Sequence, residues 1–179
     1  MLLVTAWNAG SAQKMDSTLR MSVMVGAGWT HYYNSLVIGH EGLKNNFFGS
    51  SLRIMWEPEH RLAVGIETGY YKLYDATLQP GNSTSSLAII PLMANFRMRI
   101  LKNFYLTGGT GIALLNSELN GPSGTSKSQT ISYSDVQISA LYFYNLSQQL
   151  SVGGELKFLW IDKTNDTVSG LQGVVRWRF

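Results

Sequence analysis

The residues of this chain that could do chemistry are a few histidines beside one serine and a set of charges spaced along its alternating segments. His31-Tyr32-Tyr33-Asn34-Ser35, followed by His40-Glu41, brings an imidazole, a hydroxyl and a carboxylate into one short stretch. Those are the parts of a nucleophilic hydrolase, in which a base activates the serine and an acid orients the base. The serine is displaced from a productive spacing and the stretch reads as a loop, and a motif outside its structural context carries little weight. His60 stands in a tight turn, and three histidines scattered along the chain have no close ligand spacing for a metal. The chain has 0 cysteines, so thiol chemistry, zinc knuckles and disulfides are excluded. Gly108-Gly109-Thr110-Gly111 falls within a strand pattern, where glycine allows close packing or bending and does not make a phosphate cradle. No cofactor is expected.

The charges are more informative: Arg53, Glu67, Arg97, Arg99, Glu155, Lys157, Arg176 and Arg178 all fall within segments whose dominant period is two. That period is the mark of strands with two different faces. Eight such runs follow one another from Leu19 to Phe179. In the run ending at Trp56, for example, Phe48, Ser50, Leu52, Ile54 and Trp56 oppose Gly49, Ser51, Arg53, Met55 and Glu57. In the last run Leu171, Gly173, Val175, Trp177 and Phe179 oppose Gln172, Arg176 and Arg178. Across all the runs the charges keep to one parity, and the opposite parity carries none.

That segregation separates two kinds of barrel. A soluble carrier points its apolar residues inward and would have to bury all of these charges against a steep desolvation penalty. A membrane barrel turns the uncharged parity to lipid, where each Arg or Lys at mid-bilayer would cost roughly 2–4 kcal/mol. The uncharged parity therefore faces lipid. A spanning helix would need about 20 consecutive apolar residues, and the chain has no such run.

The connections support the same reading. Residues 57–61, 101–103 and 145–149 read as tight turns, whereas 31–47, 74–86, 116–131 and 162–168 read as longer loops rich in Asn, Gly, Ser and Thr. Short turns at one end and long loops at the other are the habit of outer-membrane barrels. Aromatics gather near both ends of the runs, as interfacial girdles do. The expected fold is all-β: an eight-stranded antiparallel up-and-down transmembrane β-barrel in the cell outer membrane. Residues 1–12 read as the remnant of a signal peptide, with Gly10 and Ala12 preceding a cut at Gln13, and residues 13–179 as the barrel domain.

Three segments carry a family resemblance: Ile90-Pro91-Leu92-Met93-Ala94-Asn95-Phe96-Arg97, the glycine-rich Phe104-Tyr105-Leu106-Thr107-Gly108-Gly109-Thr110-Gly111, and the terminal Trp177-Arg178-Phe179. With these the chain resembles the outer-membrane β-barrel domain family, small barrels related in architecture to OmpA and OmpX. The resemblance implies that Trp177 and Phe179 form a signal for the barrel-assembly machinery. It also raises a catalytic alternative, because some barrels of this size deacylate lipid A. The His31 to Glu41 stretch is the nearest approach to such a site.

Eight strands leave an interior just wide enough for side chains to fill. Glu67 and Glu155, flanked by Arg53, Arg97, Arg99, Lys157 and Arg176, are therefore expected to form an ion-pair network that plugs the lumen. A narrow anion-preferring pore is the alternative, since the cations outnumber the acids. Loops on a rigid barrel commonly carry binding, and Tyr32, Tyr33 and Phe47 form the candidate extracellular contact patch. The expected function is structural or surface-interacting and non-catalytic, exercised by a monomer. Its expected partners are outer-membrane lipid and lipopolysaccharide; a net charge of +3 without a basic run interleaved with aromatics points to no nucleic acid.

Overall fold

The computed structural model of the 179-residue chain describes residues 21–33, 43–58, 61–78, 83–122 and 124–179. The segment read as a signal remnant lies outside these residues, as do Asn34, Ser35, His40, Glu41 and His60. Nine strands occur among the described residues: β1 (Met21–Tyr33), β2 (Leu43–Lys44), β3 (Asn46–Trp56), β4 (Leu62–Leu78), β5 (Ser83–Arg99), β6 (Phe104–Gly121), β7 (Gly124–Asn145), β8 (Leu150–Ile161) and β9 (Asp166–Arg178). The two-residue β2 pairs only with Ala76 and Asp75 of β4, so the wall itself has eight strands. Within the wall every pairing is antiparallel between successive strands, and β1 closes on β9 from Ser22↔Arg178 to Tyr33↔Thr167. At the seam Met21 and Phe179 exchange two backbone hydrogen bonds of 3.0 Å.

The parity of the sequence becomes the two faces of this wall. Val25, Trp29, Leu52, Ile66, Leu92 and Ile138 are exposed on the outside, while Met24, Arg53, Glu67, Asn95 and Gln137 are buried within. Trp56, Phe96, Tyr142, Tyr144 and Trp177 stand exposed toward the turn end, and Trp29, Phe48, Tyr133 and Trp160 toward the other. The Trp29 and Phe48 rings meet edge to face across the β1–β3 pair with centroids 6.3 Å apart.

Two segments read as loops are largely strand. β4 continues through Leu78 and β5 begins at Ser83, inside 74–86. Ser117 to Asn120 pairs with Ser128 to Thr125 in a hairpin that fills most of 116–131. Likewise β9 starts at Asp166, within 162–168. Beyond the lipid there is no apolar side to alternate with, so backbone pairing goes on without the side-chain signal that reveals it.

Two irregularities bend the ladder. Gly111 pairs with Asp135 and Ile112 with Tyr133, which leaves Ser134 as a bulge at φ 64°. The extra residue switches the parity of β7, so that Val136 and Ile138 face out below it and Ile131 and Tyr133 above it. In the β4–β5 ladder the register slips by one between Lys72↔Ala88 and Tyr74↔Leu87, which leaves Leu73 over; between Thr68↔Leu92 and Tyr71↔Ile89 the pairing is only interrupted, in register, opposite Pro91. Its nitrogen has no hydrogen to donate. Gly111 of β6 answers a different need: a Cβ there would stand 2.1 Å from the Leu92 carbonyl oxygen, closer than any side chain could be tolerated.

Candidate functional site

The lumen is built in layers. Tyr71, Leu73, Ile89, Leu115, Ile161 and Val168 form an apolar cluster toward the long-strand end. Met24, Met55, Ala63, Tyr105, Leu141, Phe143 and Val174 form a second toward the turn end. Between them lies a charged layer in which Arg53, Glu67, Glu155 and Lys157 are each no more than 3% exposed. Inward parity brings these side chains to the lumen, and the tilt of the strands brings them to one level although Arg53 and Glu155 are far apart in sequence.

Glu67 is the hub of that layer. Its Oε2 accepts from Arg53 Nε at 2.7 Å, Asn95 Nδ2 at 2.8 Å and Gln137 Nε2 at 2.7 Å, and its Oε1 accepts from Lys157. Glu155 Oε1 takes Arg53 Nη2 at 2.7 Å, and its Oε2 lies 3.8 Å from Lys157 Nζ. Lys157 also donates to the Tyr71 hydroxyl at 3.1 Å. Two cations thus face two anions and the layer is neutral. Ion pairs at this depth must recover a large desolvation cost, and the four donors gathered on Glu67 are what makes that feasible. The space lined by Thr30, Tyr71, Lys157, Leu159, Val168 and Gly170 has room for about one water molecule.

A second charged group closes the turn end. Glu57 accepts from Ser22 Oγ at 2.7 Å and from Arg97, and its Oε2 stands 3.6 Å from Arg178 Nε. Glu57 lies in the turn after β3. Burial pushes its carboxyl up, but Arg97, the Ser22 hydroxyl and Arg178 outweigh burial and hold it below the ordinary carboxylate value. Arg176 donates to Ser151 Oγ at 3.2 Å and lies over the Phe143 ring, 4.1 Å from its centroid. Arg99 is half-buried at the rim and belongs to neither group.

Of the seven lumen candidates, then, four form the central layer, Arg97 and Arg176 sit in the turn-end group, and Arg99 stands apart. Sequence reasoning missed Glu57 as an ion-pair partner because it read as a turn residue, although it shares the inward parity of Arg53 and Met55. It also missed Asn95, Gln137 and Tyr71, whose roles depend on which strands face each other across the lumen.

The contact-patch candidates do not form one surface. β1 runs on past His31, and strand parity sends Tyr32 inward, where its hydroxyl donates to Asp166 Oδ2 at 2.5 Å. Tyr33 is exposed and packs against the His31 ring. Phe47 is half-buried between two ammonium groups, with Lys44 Nζ 5.6 Å and Lys72 Nζ 5.1 Å from its ring centroid. His31 Nδ1 is 2.7 Å from Asn46 Oδ1. Among the described residues no group of three His, Asp or Glu could hold a metal ion. Trp177 and Phe179 both point outward at the turn end.

A family model described as outer membrane protein β-barrel domain matches residues 1–179. Several solved structures share the architecture. The attachment invasion locus protein Ail of Yersinia pestis, solved in complex with the heparin analogue sucrose octasulfate, aligns at a TM-score of 0.60 and 13% identity over 90% of this chain and 99% of its own. Neisserial surface protein A aligns at 0.59 and 15% over 89% and 97%. A major outer membrane protein from Thermus thermophilus aligns at 0.61 and 14% over 90% and 99%. No curated protein matches the chain.

Proposed function

The chain belongs to the outer membrane protein β-barrel domain family, and from that premise we propose that it is a non-catalytic barrel with a plugged lumen and a surface-interaction role. It resides in the outer membrane, its short turns on the periplasmic side and its long hairpins outside. The observation that carries the surface role is strand length. A membrane strand needs about 9–11 residues, whereas β4 and β5 have 17 each, β6 has 18 and β7 has 22. The surplus is polar, as in Ser83 to Ser86, Asn116 to Asn120 and Thr125 to Thr130, and it raises a rigid sheet above the lipid. A rigid, solvated platform on a membrane anchor suits binding.

The partner that suits this sheet is not a polyanion. Ail was solved with a sulfated ligand, but here Lys72 is paired with Asp75 and Lys127 lies 3.5 Å from Glu118, so that among the described residues of β4 to β7 beyond the lipid both lysines are paired, and Lys44 of the adjoining β2 adds a single cation. Cells displaying a barrel with residues 117–128 replaced by a two-residue turn should keep the heat-modifiable fold and lose the adhesion of cells displaying the full chain. Equal adhesion of the two would remove the surface role.

The lumen plug rests on the apolar layers that enclose the neutral ion pairs. In planar bilayers the protein should insert without conductance steps. Regular anion-selective steps would restore the pore reading. In the same proposal the outer face is solvated by lipid and lipopolysaccharide, and Trp177 and Phe179 are presented to the barrel-assembly machinery. A ladder that closes without a free edge in the membrane-spanning band serves as a monomer.

A further inference from the structure

The central layer of the lumen balances its charges, and the turn-end mouth does not. Three guanidinium groups, Arg97, Arg176 and Arg178, meet there with one carboxylate among the described side chains, Glu57. Glu57 is engaged by Arg97 and more loosely by Arg178, so among the described side chains the guanidiniums exceed the carboxylates by two. Arg176 concentrates the imbalance. It is 0% exposed and among the described residues makes no ion pair; its Nε and Nη1 have no partner of good geometry, and its contacts with the Ser151 and Tyr105 hydroxyls are to neutral groups. The Phe143 and Tyr105 rings lie 4.1 Å and 5.3 Å from its Cζ. Ring faces attract a cation, yet neither they nor the two hydroxyls bring a counter-charge. An enclosed cation without a counter-anion is strongly unfavourable.

We propose that this mouth is a binding site for a phosphate dianion, free or as a phosphomonoester headgroup, held by Arg176 and Arg178 beside the Glu57–Arg97 pair. The charge of such a group matches that excess of two guanidiniums, and planar N–H donors suit its oxygens. Arg178 is the point of entry. It is 36% exposed, and its 3.6 Å separation from Glu57 is the loosest contact of the mouth. Glu57 then plays a second part, as the resident anion that limits how tightly the guest is held.

The test uses the full chain refolded in zwitterionic micelles and titrated calorimetrically with inorganic phosphate, against chloride at equal ionic strength. Saturable one-to-one binding is expected. Arg178→Gln should weaken it about tenfold or more, as expected for loss of one charge-assisted contact, and Glu57→Gln should tighten it several-fold. Arg176→Gln should abolish it. Because that variant removes a buried group, its fold is checked by gel mobility, and the rim variant Arg178→Gln keeps the test decisive if it fails. A parallel arm uses nanodiscs with phosphatidic acid in place of phosphatidylcholine. Saturation by inorganic phosphate assigns a soluble source, and binding seen only with phosphatidic acid assigns a lipid headgroup. Phosphate heats no different from chloride together with indifference to phosphatidic acid, or binding unchanged in both Arg178→Gln and Glu57→Gln, would overturn the site.

Discussion

Glu67→Ala should lower the stability of the folded barrel by about 3–5 kcal/mol, the range for breaking a buried ion pair by removing one partner. The side chain is 1% exposed and accepts from Arg53, Asn95, Gln137 and Lys157. Alanine would strip all four donors of their acceptor and leave two cations facing Glu155 alone. Glu67→Gln keeps one acceptor oxygen and should lose less. The double variant Glu67→Met, Lys157→Met removes one charge of each sign, so it should be closer to the parent than Glu67→Ala is. Urea unfolding in lipid vesicles, followed by the fluorescence of the 5 tryptophans, provides the measurement. A loss below about 1 kcal/mol, the scale of an ordinary surface change, would mean that the layer is solvated and the plug leaks.

The second large effect belongs to the opposite face. Ile66→Arg should cost about 2–4 kcal/mol, as a cation placed at the bilayer midplane does. Ile66 is 56% exposed and lies mid-strand in β4 between Ile54 of β3 and Ala94 of β5. Tyr70→Arg, on the same face but nearer the outer interface, should cost only about 0–1 kcal/mol. The same unfolding assay compares the two. Equal costs would contradict the placement of this face in lipid, because a water-exposed face has no depth dependence.

The faces of the wall are legible in the sequence because charge tolerates only one of them. Arg53, Glu67, Glu155 and Lys157 could be placed in the lumen from parity alone. Their pairing could not, since Arg53 reaches Glu155 across the barrel and that meeting depends on strand tilt, which parity does not encode. Glu57 shows how the turn assignment of one residue hid its part in the mouth. The projecting hairpins are illegible for a related reason: Thr125 to Thr130 lies in water on both faces, so no apolar alternation marks it as strand. Ser134 compounds this, because its bulge reverses parity and Ile131 and Tyr133 fall out of step with the run below. Tyr32 was misplaced by the same blindness to where β1 ends, for once the strand continues its side chain must turn inward.

The central ion pairs also have a mechanical consequence. Hydrogen bonds between neighbouring strands resemble the stitches of a hoop, which a pull on one end can undo in turn. Arg53 on β3 reaches Glu155 on β8, and Lys157 on β8 reaches Glu67 on β4, so these contacts act as spokes that tie opposite sides of the rim. Under load, peeling from the β9 end would meet its resistance at β8, where one strand cannot leave without tearing two partners from the far wall.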